Sequence, residues 1–139
     1  MATVVVFGAG VQGTIYGAML ARAGHQVTMV ARGARAEALR KNGAVISQAA
    51  TGEIQAAVVT VIEGLADDIS ADICLVTVRR EQLADALLSL RAAYGLRRIV
   101  IMVNHGCGSG LVYDALGRER TVLALRNSKK KACAHNWNL

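Results

Sequence analysis

Val4-Val5-Val6-Phe7-Gly8-Ala9-Gly10-Val11-Gln12-Gly13 opens the chain as an apolar β-type run, a turn of spaced glycines and the first residues of a helix. The helical spacing continues through Ile15-Tyr16-Gly17-Ala18-Met19-Leu20-Ala21. A lone GxGxxG is weak in a chain with 14 glycines. The strand before it and the helix after it supply the context that gives it meaning. Gly8 permits the tight bend, Gly10 lets a pyrophosphate approach the backbone, and Gly13 lets the helix lie close to the strand. Free N–H groups at the helix start, those of Val11 and Gln12 among them, bind phosphate together with the positive end of the helix dipole. The alternative is a glycine turn that merely joins two packed elements.

Outward from this turn, strand-like and helical runs alternate. The first strand covers Thr3 to Phe7, and its helix runs from Val11 to Ala23, closed by Gly24. Gln26 to Ala31 reads as the second strand and Ala34 to Lys41 as a short helix. Ala44–Ser47 and Ile54–Val61 read as two strands of a hairpin around Thr51-Gly52-Glu53. Ile73–Val78 is a continuous apolar strand of the kind buried on both faces, followed by a helix from Gln82 to Ala93 with Leu83, Ala86, Leu87 and Leu90 on one side. Ile99–Val103, a glycine loop, a helix over Leu111–Leu116 and a last strand over Thr121–Leu125 complete the order. Such alternation predicts an α/β fold: a doubly wound, mostly parallel sheet of the Rossmann type with right-handed crossovers. Ligands of such sheets bind beyond the carboxyl ends of the strands. That rule gathers Gly8–Gly13, Arg32, Thr77–Arg80 and Asn104–Gly108 along one rim.

The 139 residues suffice for one domain, here residues 1–125, with residues 126–139 read as a basic, poorly ordered tail. Up to Gly117 there are ten Lys/Arg against nine Asp/Glu; from Arg118 onward there are six against Glu119 alone. The overall charge of +6 therefore belongs almost wholly to the stretch from Arg118 onward. Lys129-Lys130-Lys131 comes without an aromatic stacking platform, so nucleic acid is not the expected partner. No apolar run approaches a membrane span, and the start lacks a signal-peptide pattern. Cys74, Cys107 and Cys133 have no metal-ligand spacing and fit free thiols in a reducing cytoplasm.

An NAD-preferring site ends its second strand in Asp or Glu, which binds the adenosine ribose. This strand ends Val30-Ala31-Arg32-Gly33, with Arg35 nearby and no acid before Glu37. A guanidinium at position 32 can grip a 2′-phosphate through paired, charge-assisted hydrogen bonds. The expected cofactor is NADP. An ordinary exposed arginine is the competing reading.

The chain resembles the N-terminal domain of the ketopantoate (2-dehydropantoate 2-) reductases. The likeness rests on the Gly8–Gly13 turn, Tyr16-Gly17-Ala18 and Leu20-Ala21 with Ala23-Gly24-His25, Val30-Ala31-Arg32-Gly33, Leu75-Val76-Thr77-Val78, Gln82, and Gly106–Gly108. The resemblance implies NADPH-dependent reduction of 2-dehydropantoate to pantoate, on the route to pantothenate. It implies cofactor contacts from Gly8, Gly10, Val11, Gln12, Gly13, Arg32, Thr77, Val78, Arg79, Asn104, His105 and Gly106. Two positions depart from the family pattern. Arg79 stands where the family commonly has lysine, and His105 stands where it has asparagine, with Asn104 one place earlier. The resemblance also implies a second, helical domain carrying a catalytic lysine and an acidic substrate-binding residue, neither of which is expected here. The catalytic residues are therefore unassigned, and the chain is expected to bind NADP(H) while turning over a 2-keto acid slowly or not at all. A related 2-keto or 3-hydroxy acid reductase and a non-catalytic NADP(H)-sensing module are the alternatives. Surface left bare by the second domain would favour self-association.

Overall fold

The computed structural model describes residues 1–103 and 109–125. Its elements are β1 (Thr3–Phe7), α1 (Val11–Arg22), β2 (Gln26–Val30), α2 (Gly33–Asn42), β3 (Ala44–Ser47) and β4 (Ile54–Ala57). There follow β5 (Thr60–Ile62), β6 (Ser70–Val76), a 3-10 turn (Arg80–Gln82), α3 (Leu83–Ala92), β7 (Gly95–Val103), α4 (Ser109–Leu116) and β8 (Thr121–Leu125). Six strands form one sheet in the order β5-β2-β1-β6-β7-β8, every neighbouring pair parallel. The strand order reverses direction between β1 and β6, which is where such a sheet opens a crevice at its carboxyl edge.

Alternation along the strands divides the core. Val5, Cys74, Val76, Ile99 and Ile101 face Leu83, Leu87 and Leu90 of α3 and Val112 and Leu116 of α4. Val4, Val6, Val27 and Met29 face Ala18 of α1 and Ala36 and Leu39 of α2. Strands buried on both faces read as unbroken apolar runs, as Val4-Val5-Val6 of β1 does. Burial pushes the Cys74 thiol up to about 12, which leaves it an inert core residue.

One strand of the sequence reading divides in two. Residues 54–61 look continuous, yet Ile54–Ala57 pairs antiparallel with β3, and Thr60–Ile62 pairs parallel with β2. Between them Val58 is 95% exposed, so the chain changes sheets at that point. Strand propensity reports a pleated, half-buried surface and says nothing of which partner supplies it. The strand read as Ile73–Val78 starts earlier, at Ser70, and stops at Val76, which frees Thr77 and Val78 for the rim. The strand read from Ile99 begins four residues sooner, at Gly95, next to Ser70.

The amino edge of the sheet, away from the crevice, is tied by Asp72. Thr3 donates its backbone N–H and its hydroxyl to Asp72 Oδ2, each at 2.9 Å. These bonds, with the Arg97 guanidinium 3.4 Å away, hold the Asp72 carboxyl below its usual 3.8. A carboxyl depressed in the folded state stabilises above its unfolded value and loses that contribution as pH falls through the folded one. The thermal midpoints of wild type and Asp72→Asn are therefore expected to differ at neutral pH and to converge as the pH falls below the usual carboxylate range. Melting curves that stay parallel across that range would dismiss the role.

On its own face of the sheet α1 reaches β6 only along a groove where Tyr16, Met19 and Leu20 meet Ile73 and Leu75, and no described helix covers β7 and β8. Ile73, Leu75, Val100, Met102 and Ala124 are half-buried there, and Val122 is 50% exposed. Both crossovers after β6 place their helices on the opposite face, against Cys74 and Ile99.

Candidate functional site

β1, β2 and β6 end at a common rim, and a cleft of about 630 Å³ opens there. Gly8, Ala9 and Gly10 form one wall, and Arg32 and Arg35 at the start of α2 form another. Thr77, Val78 and Arg79 continue it beyond β6, and Gln82, Asp85, Ala86 and Ser89 close it from the α3 side.

The glycine turn is sterically determined. Gly8 has φ +112°, a conformation L side chains rarely adopt. A Cβ on Gly13 would sit 1.9 Å from the Gly8 carbonyl oxygen, so only glycine lets α1 pass this close to the end of β1. Gly10 is the N-cap of α1, and space for 4 Å around its missing Cβ is open. No side chain caps α1 and no acidic residue occupies its first turn, so its N-terminal N–H groups remain available to an anion. Val11 and Gln12 begin α1 just past the cleft wall, with Val11 79% exposed. Neither side chain lines the cleft.

Thr77 is occupied with the turn itself. Its hydroxyl donates to the Gly8 carbonyl at 2.7 Å, and its N–H donates to the Phe7 carbonyl at 2.9 Å. The Arg32 Nε donates to the Glu63 carbonyl at 3.1 Å, and Glu63 in turn meets Arg40 at 3.3 Å. This leaves the terminal nitrogens of Arg32 at the cleft with no partner among the described residues. The Arg79 N–H donates to Gln82 Oε1 at 3.2 Å, which starts the 3-10 turn leading into α3.

Three expected contacts, Asn104, His105 and Gly106, lie outside the described residues, as does the tail from residue 126. The sequence reading did not assign the α3 wall or the bonds of Arg35. The wall was detectable, since Gln82, Asp85, Ala86 and Ser89 fall at helical spacing beside the buried Leu83-Leu87-Leu90 stripe. The Arg35 bonds join residues 21 and 26 apart in sequence and leave no local signal. Among the described residues no group of three or more His, Cys, Asp or Glu is placed to hold a metal ion, and no helix is long and apolar enough to cross a membrane.

The family model described as ketopantoate reductase PanE/ApbA matches residues 4–127. The chain belongs to the ketopantoate reductase family. Among solved structures, it is 27% identical to the 2-dehydropantoate 2-reductase of Methylococcus capsulatus, with a TM-score of 0.74. That match covers 88% of this chain and 40% of the other. The PanE/ApbA family ketopantoate reductase of Ralstonia eutropha JMP134 is 26% identical at TM-score 0.65, covering 88% of this chain and 40% of that one. A D-mandelate dehydrogenase solved with NADH and anilino(oxo)acetate shares the fold at 16% identity and TM-score 0.73, over 88% of this chain and 40% of the other. The chain thus spans well under half the length of these relatives, and its sheet is that of their Rossmann-like N-terminal domain.

Proposed function

We propose that this ketopantoate reductase-family domain binds NADP(H) for the reduction of 2-dehydropantoate to pantoate in the cytoplasm. The observation that carries the cofactor reading is Arg32. It lies at the carboxyl end of β2, on the cleft, where an NAD site would place a carboxylate. Its free terminal nitrogens suit a phosphate on the adenosine ribose. The diphosphate belongs over Gly10 and the start of α1, where unpaired N–H groups and the helix dipole meet it. Arg32, Arg35 and Arg79 against Asp85 make the cleft wall net positive, as a polyanionic cofactor requires. Asn104, His105 and Gly106, outside the described residues, belong to the cofactor reading through the family resemblance alone.

When bound, the nicotinamide supplies the hydride, while the protein orients the ketone and delivers a proton. The described cleft wall carries no lysine, and its one carboxylate is Asp85. Proton delivery by this chain alone is accordingly weak, and its turnover of ketopantoate is slow or absent. Fluorescence titration is expected to give saturable NADPH binding, and subsequent ketopantoate is expected to leave the NADPH signal nearly constant. Absence of binding would overturn the cofactor reading. Oxidation at about 10 per second, typical of enzymes, would overturn the reading of weak catalysis.

A second reading is a nucleotide-sensing module that works by assembly, favoured by the apolar face of β7 and β8 that no described helix covers. Its hallmark would be self-association that changes with NADPH, visible by light scattering. The D-mandelate dehydrogenase likeness supports a third variant, the same chemistry on another 2-keto acid.

A further inference from the structure

Three consecutive carbonyl groups of the glycine turn are each held by a side chain from a different element. The Gly8 oxygen accepts from the Thr77 hydroxyl at 2.7 Å. The Gly10 oxygen accepts from the Thr14 hydroxyl at 2.8 Å and the Thr14 N–H at 2.9 Å. The Ala9 oxygen, between them, accepts from Arg35 Nε at 2.9 Å. The same guanidinium donates through Nη2 to the Thr14 hydroxyl oxygen, so one arginine bridges the turn and the first turn of α1. Thr14 is 5% exposed, which makes this end of the bridge a fixed point.

A turn that binds phosphate through N–H groups must keep its carbonyl oxygens away from the anion. Phosphate is repelled by a carbonyl dipole that faces it, and a peptide flip would exchange donor for acceptor. Thr77 and Thr14 anchor the two ends of the turn. Arg35 anchors its middle with a charged donor, the stronger kind, at 2.9 Å, against a longer contact of 3.4 Å from the Thr14 hydroxyl to the same Ala9 oxygen.

We propose that Arg35 is a positioning residue for the dinucleotide diphosphate: by holding the Ala9 carbonyl and the Thr14 hydroxyl, it fixes the amides after Gly10 toward the cleft. This rests on the reading that the cleft takes an adenine dinucleotide. It assigns Arg35 a part distinct from that of Arg32, which discriminates the 2′-phosphate. Arg35 serves phosphorylated and unphosphorylated dinucleotides alike.

The test is calorimetric or NMR titration of wild type and Arg35→Ala with adenosine, ADP, NADH and NADPH. The variant is expected to bind ADP, NADH and NADPH each about ten-fold more weakly and adenosine unchanged. A loss confined to NADPH would make Arg35 a direct 2′-phosphate ligand and overturn the proposal. A parallel loss for adenosine would reduce it to fold maintenance, and an unchanged ADP affinity would remove it altogether. Arg35→Lys keeps the charge without the planar fork and is expected to lose about three-fold on ADP, which carries the same test should the alanine variant unfold. The cofactor reading fails on a different result: wild type binding NADH and NADPH equally, with the ADP comparison still deciding Arg35.

Discussion

Gly13→Ala is expected to abolish useful dinucleotide binding, lowering NADPH affinity by about 100-fold or more. It is also expected to cost about 3 kcal/mol of folding stability. A Cβ at position 13 would lie 1.9 Å from the Gly8 oxygen and 2.7 Å from Thr77 Oγ1. Both neighbours are held: the Gly8 carbonyl receives the Thr77 hydroxyl, and Thr77 is itself bonded to Phe7. Relief therefore requires α1 to move off the end of β1, carrying its N–H groups away from the cleft. Gly10→Ala provides the contrast. Its Cβ would meet nothing within 4 Å, and the backbone there, φ −73° and ψ −165°, suits alanine. That variant is expected to melt within a few degrees of wild type, yet to lose affinity because a diphosphate passes where the methyl would stand. Chemical denaturation with NADPH titration on both variants decides it. A Gly13→Ala protein of wild-type stability and affinity would refute the account of the turn.

Arg32→Ala is expected to leave NADH binding nearly unchanged and to weaken NADPH by about 10- to 100-fold, the range for losing charge-assisted bonds to a phosphate. The residue is exposed, and among the described residues its side chain holds only the Glu63 carbonyl, so its removal leaves the core intact. The ratio of the two dissociation constants, measured at one ionic strength, is the informative quantity, because general charge loss weakens both cofactors. A ratio that does not move would transfer 2′-phosphate recognition to another group. Comparison with Arg35→Ala, which lowers both affinities together, separates discrimination from positioning.

The sheet was legible because its central strands carry unbroken apolar segments. Val4-Val5-Val6 and Ile73-Cys74-Leu75-Val76 have no polar alternation, and each lies between two neighbouring strands. The glycine turn was legible for a comparable reason. The tightest approach, that of Gly13 to the Gly8 carbonyl, is made within the turn, so spacing alone encodes it. The change of sheet at Val58 was not legible, since residues on either side have the same propensity and differ only in a distant partner.

Arg32 and the glycines are thus properties of the sequence: short-range sterics and the missing carboxylate after β2 specify the turn and the charge presented at the cleft. The folded chain alone decides which carbonyl each side chain holds. Thr77 meets Gly8 across 69 positions, and Arg35 meets Ala9 across 26. A hydrogen bond between such partners depends on where parallel crossovers set α2 and β6, and no local pattern of residues records that distance.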